Sequence, residues 1–205
     1  RIYNCGVVIL DGKIMGVVPK SVLPNTNEFY EQRWFASGAG VKDAFIDIGS
    51  FKSIPFGVDL LFKKINRPWV LGIEICEDLW SVIPPSSSLC LSGANIIANL
   101  SASNELVGKS DYRKQLVVSQ SARCVCSYIY VSSGFGESST DNIFSGHLLI
   151  AENGNLLSES SDMLKESDSI VTDIDTQALM HDRSKNNEFK QSISMEGIKI
   201  IELKE

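Results

Sequence analysis

Residues 69–80 read WVLGIEICEDLW, a stretch in which an apolar run ends abruptly in a cysteine and two acids. Trp69 to Ile75 contains one charged residue, Glu74, and a short run of this kind is typical of a strand buried on both faces. The strand ends at Cys76, which we expect on a tight turn with its thiol facing a pocket. The alternative is that Cys76 is a small buried apolar residue, the usual role of a free cysteine.

The segments on either side of this strand alternate between strands and helices. Asn95 to Leu100 and Ser127 to Ser132 predict two more strands, and Ser110 to Cys124 predicts a helix between them. This order indicates a layered α/β fold. Hairpin signals at Asp11-Gly12 and Asn153-Gly154 add antiparallel pairs, so we expect a mixed sheet.

Towards the end of the chain the pattern weakens. Ile170 to Ile174 predicts the last strand, and the sequence after Gln177 is polar, as in an extension or linker. We therefore assign residues 1–190 to one domain. Residues 191–205 form a C-terminal extension or linker, and a final strand there remains the alternative.

Composition excludes several classes of partner and site. Apolar residues make up 43% of the 205 residues, the net charge is −6, and no Lys/Arg-rich patch occurs, so we expect neither nucleic acid nor membrane as a partner. Five scattered cysteines suit reduced thiols in a cytoplasmic protein. Neither histidine lies near a cysteine pair, so no metal site is predicted.

A lysine and a glutamate could support chemistry at Cys76. Lys20 follows the second predicted strand, and Glu28 lies eight residues further on. A lysine next to a thiolate stabilises both the thiolate and an oxyanion, and a carboxylate can accept the thiol proton. Each of these charged side chains taken singly is more often part of the solvated surface. The sequence has no glycine-rich phosphate loop, so no ATP or NAD site is predicted within it.

Ordered blocks of sequence resemble the glutaminase domain of glutamine-dependent NAD synthetases, a nitrilase-type carbon-nitrogen hydrolase. The resemblance extends to about Phe189. Its blocks are 19–24 PKSVLP, 27–31 NEFYE, 33–35 RWF, 72–80 GIEICEDLW, 83–86 IPPS, 98–103 ANLSAS, 120–124 QSARC, 136–141 GESSTD, 144–147 FSGH and 152–154 ENG.

The resemblance implies the four-layer α-β-β-α sandwich of the nitrilase superfamily and a Glu-Lys-Cys triad. Cys76 would attack the side-chain amide of L-glutamine, giving a thioester and ammonia, and water would release glutamate. Lys20 matches the triad lysine, and Glu28 matches an additional glutamate near the triad.

Substrate contacts also follow from the resemblance. Ser103 and Lys109 would hold the α-amino and α-carboxylate end of glutamine, with Lys109 where some relatives have arginine. Glu77, next to the nucleophile, is assigned to substrate binding. Thr26 stands where the family often has tyrosine, so a backbone contact could survive there but a tyrosine-specific one could not.

The family's general-base glutamate matches no residue of this sequence and would lie upstream of Arg1. We therefore expect the N-terminal part to be missing and the chain as given to be incomplete for catalysis. A synthetase domain using ATP and magnesium would follow the C-terminus and use the ammonia to amidate nicotinic acid adenine dinucleotide to NAD. We expect no cofactor in the present domain, and a homo-oligomer.

Two other functions remain open. The chain could be a free-standing nitrilase-superfamily amidase or carbamoylase, which should show little preference for glutamine. It could also be a non-catalytic nitrilase-like module that binds a partner.

Overall fold

The computed structural model describes residues 1–160, 167–191 and 196–204, whose strands form two sheets. A four-stranded sheet, in spatial order β1-β2-β4-β3, contains β1 (Cys5–Leu10), β2 (Lys13–Pro19), β3 (Ala44–Ile48) and β4 (Phe51–Phe56). A seven-stranded sheet, in order β10-β9-β8-β7-β6-β5-β11, contains β5 (Leu60–Lys64), β6 (Val70–Ile75), β7 (Ile96–Ser101), β8 (Ser127–Ser132), β9 (Leu148–Glu152), β10 (Asn155–Glu159) and β11 (Lys199–Leu203). The helices are α1 (Glu31–Trp34), α2 (Pro85–Leu91), α3 (Lys109–Arg123), α4 (Thr176–Lys185) and α5 (Asn187–Gln191).

The centre of the larger sheet is parallel. Strands β6, β7 and β8 run side by side in the same direction, whereas β9 joins β8 antiparallel. The predicted mixed sheet is therefore confirmed. Because parallel strands end at a common edge, the residues after Ile75, Ser101 and Ser132 meet there.

The two sheets pack face to face through one side of the β1–β2 hairpin. Val18 of β2 lies in the same apolar cluster as Phe62 and Ile73 of the larger sheet. Glycines permit this close approach: an added Cβ would come within 2.8 Å of the Phe62 ring at Gly16 and within 2.9 Å of Ile73 at Gly6. The hairpin is thereby held next to the strand that ends at Cys76.

Helices α2 and α3 cover the opposite face of the larger sheet. Leu89 of α2 and Val117 of α3 join a buried cluster with Ile97 and Leu149 of the strands. Such burial contributes about 1.5–3 kcal/mol for each large apolar side chain. Among the described residues the layers are therefore helix, sheet and sheet, with the site at one edge.

One prediction about the C-terminal part was wrong. Ile170 to Ile174 is not a strand: this segment pairs with no ladder, and Val171 is 89% exposed. Strand propensity counts only where a neighbouring strand supplies hydrogen bonds. The polar sequence after Gln177 lies in helix α4, which begins at Thr176 and buries Leu179.

The alternative of a final strand is correct for residues 199–203. Strand β11 pairs in parallel with β5, from Lys199 opposite Leu60 to Leu203 opposite Lys64. Of the predicted extension, residues 192–195 and 205 lie outside the described residues. The strand places the end of the described chain at the edge of the larger sheet.

Candidate active site

Cys76 lies on a strained turn at the end of β6. Its φ is +48°, in the left-handed region that non-glycine residues rarely adopt, and such strain is often found at functional sites. The Cys76 N–H donates to Oδ1 of Asn99 on the neighbouring strand, at 3.0 Å. The side chain of Cys76 is largely buried, at 7% exposure, yet it lines two cavities.

Asp78 joins the turn at Cys76 to the loop after β2. Its Oδ2 accepts the Ile75 N–H at 2.9 Å, while Oδ1 accepts those of Val22 at 2.8 Å and Ser21 at 3.2 Å. Burial raises the pKa of the Asp78 carboxyl to about 6, against the lowering effect of these hydrogen bonds. No role was predicted for Asp78 from the sequence. Its position two residues after Cys76 was the available signal.

Lys20 lies in the first of the two cavities, of about 340 Å³, with Cys76. The lysine is 1% exposed, and its Nζ donates to both carboxylate oxygens of Glu31, each at 2.8 Å. Glu31 lines the same cavity. The Lys20–Glu31 ion pair therefore lies in the same cavity as the thiol.

The carboxylate beside Lys20 is that of Glu31 rather than of Glu28. Glu28 lies at the second cavity, where its Oε1 accepts a hydrogen bond from the Asn104 amide. Both glutamates follow Lys20 on an irregular loop, and only the turn of α1 directs Glu31 inward. The structure thus places Glu31 and not Glu28 in contact with Lys20, and the match of Glu28 to an additional glutamate near the triad stays a prediction.

The second cavity, of about 190 Å³, collects most of the predicted residues. It is lined by Thr26, Glu28, Cys76, Glu77, Ser103 and Lys109, together with apolar side chains that include Phe29 and Trp80. Six of the seven predicted positions thus meet at one place, and Lys20 lies across Cys76 from them. Residues far apart in sequence converge because the parallel strands end at this edge.

Charges in the second cavity influence one another. Lys109 Nζ donates to Asn104 Oδ1 and lies 5.2 Å from the centre of the Trp80 ring. Burial, followed by the charge of Arg113, lowers the pKa of Lys109. Burial raises the pKa of Glu77, and the charges of Lys20 and Lys109 oppose that rise. Two carboxylates and one ammonium therefore face a small cavity beside the thiol.

A series of buried hydrogen bonds connects the turn at Cys76 to the interior of the larger sheet. Asn99 Nδ2 donates to the Tyr128 hydroxyl oxygen at 3.0 Å, and the Tyr128 hydroxyl donates to Glu74. Glu74 also accepts the Ser86 N–H of α2 at 2.8 Å. Burial raises the pKa of Glu74 to about 7. This series was not predicted, because its members are interior strand residues that become neighbours only in the sheet.

Two further observations concern metal binding and membrane spans. Within residues 1–160, 167–191 and 196–204, no group of three or more His, Cys, Asp or Glu side chains is arranged to hold a metal ion. In the same part of the chain, no helix is long and apolar enough to cross a membrane.

Solved structures define the class. The chain superimposes on a carbon-nitrogen hydrolase from Helicobacter pylori with a TM-score of 0.70 and 20% identity, over 93% of this chain and 62% of that one. With its two packed sheets and a cysteine at a strand end beside a lysine, the chain has the nitrilase-superfamily fold. No profile of a known protein family matches it.

Closer relatives define the family. A glutamine-dependent NAD(+) synthetase of Mycobacterium tuberculosis is 45% identical over 190 residues, which is 92% of this chain and 28% of that protein. The structure of one from Cytophaga hutchinsonii matches with a TM-score of 0.66 and 32% identity, over 77% of this chain and 24% of that one. The chain belongs to the family of glutamine-dependent NAD(+) synthetases, of whose nitrilase-type domain it is a homologue. It spans just over a quarter of the length of the curated relatives it matches.

Proposed function

We propose that this domain hydrolyses the side-chain amide of L-glutamine at Cys76 and supplies ammonia for the synthesis of NAD. The observation that carries the proposal is the position of the thiol, on a strained turn between the Lys20–Glu31 pair and a cavity lined by both acidic and basic side chains. The similarity to glutamine-dependent NAD(+) synthetases also supports this proposal.

The second cavity would hold the substrate. A free amino acid carries an ammonium and a carboxylate, and the cavity offers Glu77 and Glu28 for the first and Lys109 for the second. Ser103 and Thr26 add polar groups at its wall. With these groups bound there, the side-chain amide would extend towards Cys76.

Cys76 and Lys20 have separate roles in the chemical step. The sulfur attacks the amide carbon, and the resulting oxyanion is stabilised by the Lys20 ammonium. The Cys76 N–H is already bonded to Asn99 and so does not serve as an oxyanion donor. Ammonia leaves after protonation, and water then hydrolyses the thioester to release glutamate.

Glu31 orients Lys20 in this scheme. Its carboxylate contacts the buried ammonium through both oxygens, which fixes the lysine beside the thiol. A carboxylate in the same cavity can also accept the thiol proton and return it to the leaving ammonia. We therefore assign to Glu31 the place beside the triad that the sequence suggested for Glu28.

The ammonia would be used by an ATP- and magnesium-dependent synthetase domain, which amidates nicotinic acid adenine dinucleotide. This partner is proposed from the family relationship. The described cavities around Cys76 contain groups suited to an amino acid, and we propose no cofactor for this domain.

A glutamine-mimicking diazoketone tests the nucleophile and the substrate together. We expect peptide mapping of the full-length protein to find one adduct, on Cys76, that excess glutamine prevents. The other four cysteines are internal controls. An adduct unaffected by glutamine but blocked by another small amide would favour a free-standing amidase, and no adduct on folded protein would favour a binding module.

A further inference from the structure

A fully buried arginine holds the loop that carries part of the proposed glutamine site. Arg113 of α3 is 0% exposed, and its Nη1 donates to Glu105 Oε2 at 3.0 Å while Nη2 donates to the Asn104 carbonyl at 3.3 Å. Ser145 donates to the same Glu105 oxygen at 2.7 Å. Residues 103–109 are therefore attached to the protein interior at their centre.

His147 completes the contacts of this arginine. The histidine is 0% exposed, and its Nδ1 lies 2.9 Å from Arg113 Nη1, while its Nε2 lies 3.0 Å from Glu159 Oε1. A guanidinium has donors only, so Nδ1 must accept and the ring proton must lie on Nε2, donated to Glu159. The Arg113 contact therefore selects one neutral tautomer of His147.

The other charged and titratable groups around this pair are consistent with that tautomer. Lys114 Nζ lies 2.9 Å from the same Glu159 oxygen, and Lys114 with His147 lowers the pKa of Glu159 despite its partial burial. The Tyr130 ring centre lies 5.9 Å from Arg113 Cζ. Glu159 therefore stays ionised and accepts a hydrogen bond from the N–H at His147 Nε2.

The loop transmits this order to the substrate cavity through Asn104. The side chain of Asn104 joins two groups of that cavity, accepting from Lys109 Nζ and donating to Glu28. Its carbonyl is the group that Arg113 holds. Lys109 would bind the glutamine carboxylate. Its orientation therefore depends on a series of buried hydrogen bonds that starts at His147 and passes through Arg113 and Asn104.

We propose that His147 and Arg113 are positioning residues for glutamine binding, acting through Asn104 on Lys109 and Glu28. This inference rests on the proposed function, since it concerns the amino-acid end of the same site. Neither residue lines the cavities at Cys76. Losing their contact should weaken glutamine binding while leaving the reactivity of the thiol intact.

The test compares amide and apolar replacements of His147 in the full-length protein. His147→Asn retains an acceptor near the position of Nδ1, whereas His147→Leu removes it. His147→Gln retains a donor towards Glu159 but places its acceptor elsewhere, and it replaces the leucine variant if that one does not fold. His181→Leu is the matched control, because His181 is exposed on α4.

The measurement is alkylation of Cys76 by iodoacetamide at increasing glutamine concentration. For His147→Leu or His147→Gln, we expect the glutamine concentration giving half protection to rise on the order of tenfold, the effect of losing a hydrogen bond to a charged group. The alkylation rate without glutamine should stay within about twofold. His147→Asn should restore protection to within about threefold of wild type, and His181→Leu should match wild type.

Three results from the variants would overturn the inference. Unchanged protection in both loss variants would remove His147 from glutamine binding. Equal weakening in His147→Asn and His147→Gln would mean that the acceptor at Nδ1 is not the relevant group. Slower alkylation with unchanged protection would indicate a general structural role. If glutamine does not protect the wild-type protein, the proposed function fails, and the inference fails with it.

Discussion

Replacing Glu31 by glutamine tests which carboxylate serves Lys20. In the structure both Glu31 oxygens accept from Lys20 Nζ at 2.8 Å, and the lysine is 1% exposed. A hydrogen bond to a charged group contributes about 1.5–3 kcal/mol, and glutamine retains one of the two acceptors but no charge. If that energy is lost in the transition state, the kcat for glutamine hydrolysis falls roughly ten- to hundredfold.

The matched control is Glu28→Gln, which makes the same chemical change at the neighbouring candidate. Glutamine at position 28 still offers an oxygen to the Asn104 amide. Its kcat should therefore stay within about threefold of wild type, with any effect appearing in KM. The assay is release of glutamate by the full-length protein at saturating glutamine, together with the alkylation rate of Cys76 between pH 6 and pH 9.

The reverse pattern would refute this reasoning. If Glu28→Gln lowers kcat tenfold or more while Glu31→Gln hardly changes it, the Lys20–Glu31 contact is not the catalytic arrangement. Equal losses in both variants would show that the two cavities do not divide chemistry and substrate binding as described.

Three further predictions concern the nucleophile, the buried acid and the last strand. Cys76→Ala should lower glutamine-dependent NAD synthesis by the full-length protein at least about a thousandfold but retain ammonia-dependent synthesis; equal loss of both would contradict a role confined to glutamine hydrolysis. The pKa of Glu74 is raised from 4.5 to about 7 by burial, so its contribution to stability is complete below pH 4.5 and is lost as the pH rises through 7. The wild type should therefore lose up to about 3 kcal/mol relative to Glu74→Gln between pH 5 and pH 8 in urea unfolding, and parallel curves would contradict this. Leu203→Ala should cost about 2–5 kcal/mol in the same assay, because Leu203 is buried between the sheets, whereas exposed Glu202→Ala should cost almost nothing; equal effects would argue against β11.

Much of the fold was predictable because its central strands have a strong local signal. The apolar runs that end at Ile75, Leu100 and Ser132 are β6, β7 and β8, with ends displaced by at most one residue. The strand at Ile170 to Ile174 was wrong because its apolar residues have no neighbouring strand to pair with. Strand β11 could not be decided, because its pairing with β5 joins residues about 140 positions apart.

From the sequence alone one could predict the order of the central strands along the chain, the place of Cys76 at a strand end and most of the residues that line its second cavity. Each of these predictions depends on the local apolar pattern or on ordered motifs, and both can be recognised without knowing which residues make long-range contacts. The folded structure was needed to see that Glu31 rather than Glu28 contacts Lys20, that Asp78 and Asn99 hydrogen-bond the backbone of the turn at Cys76, and that His147 contacts Arg113. The direction of a side chain on an irregular loop, and the partner of a buried polar group, depend on what the folded chain brings beside it.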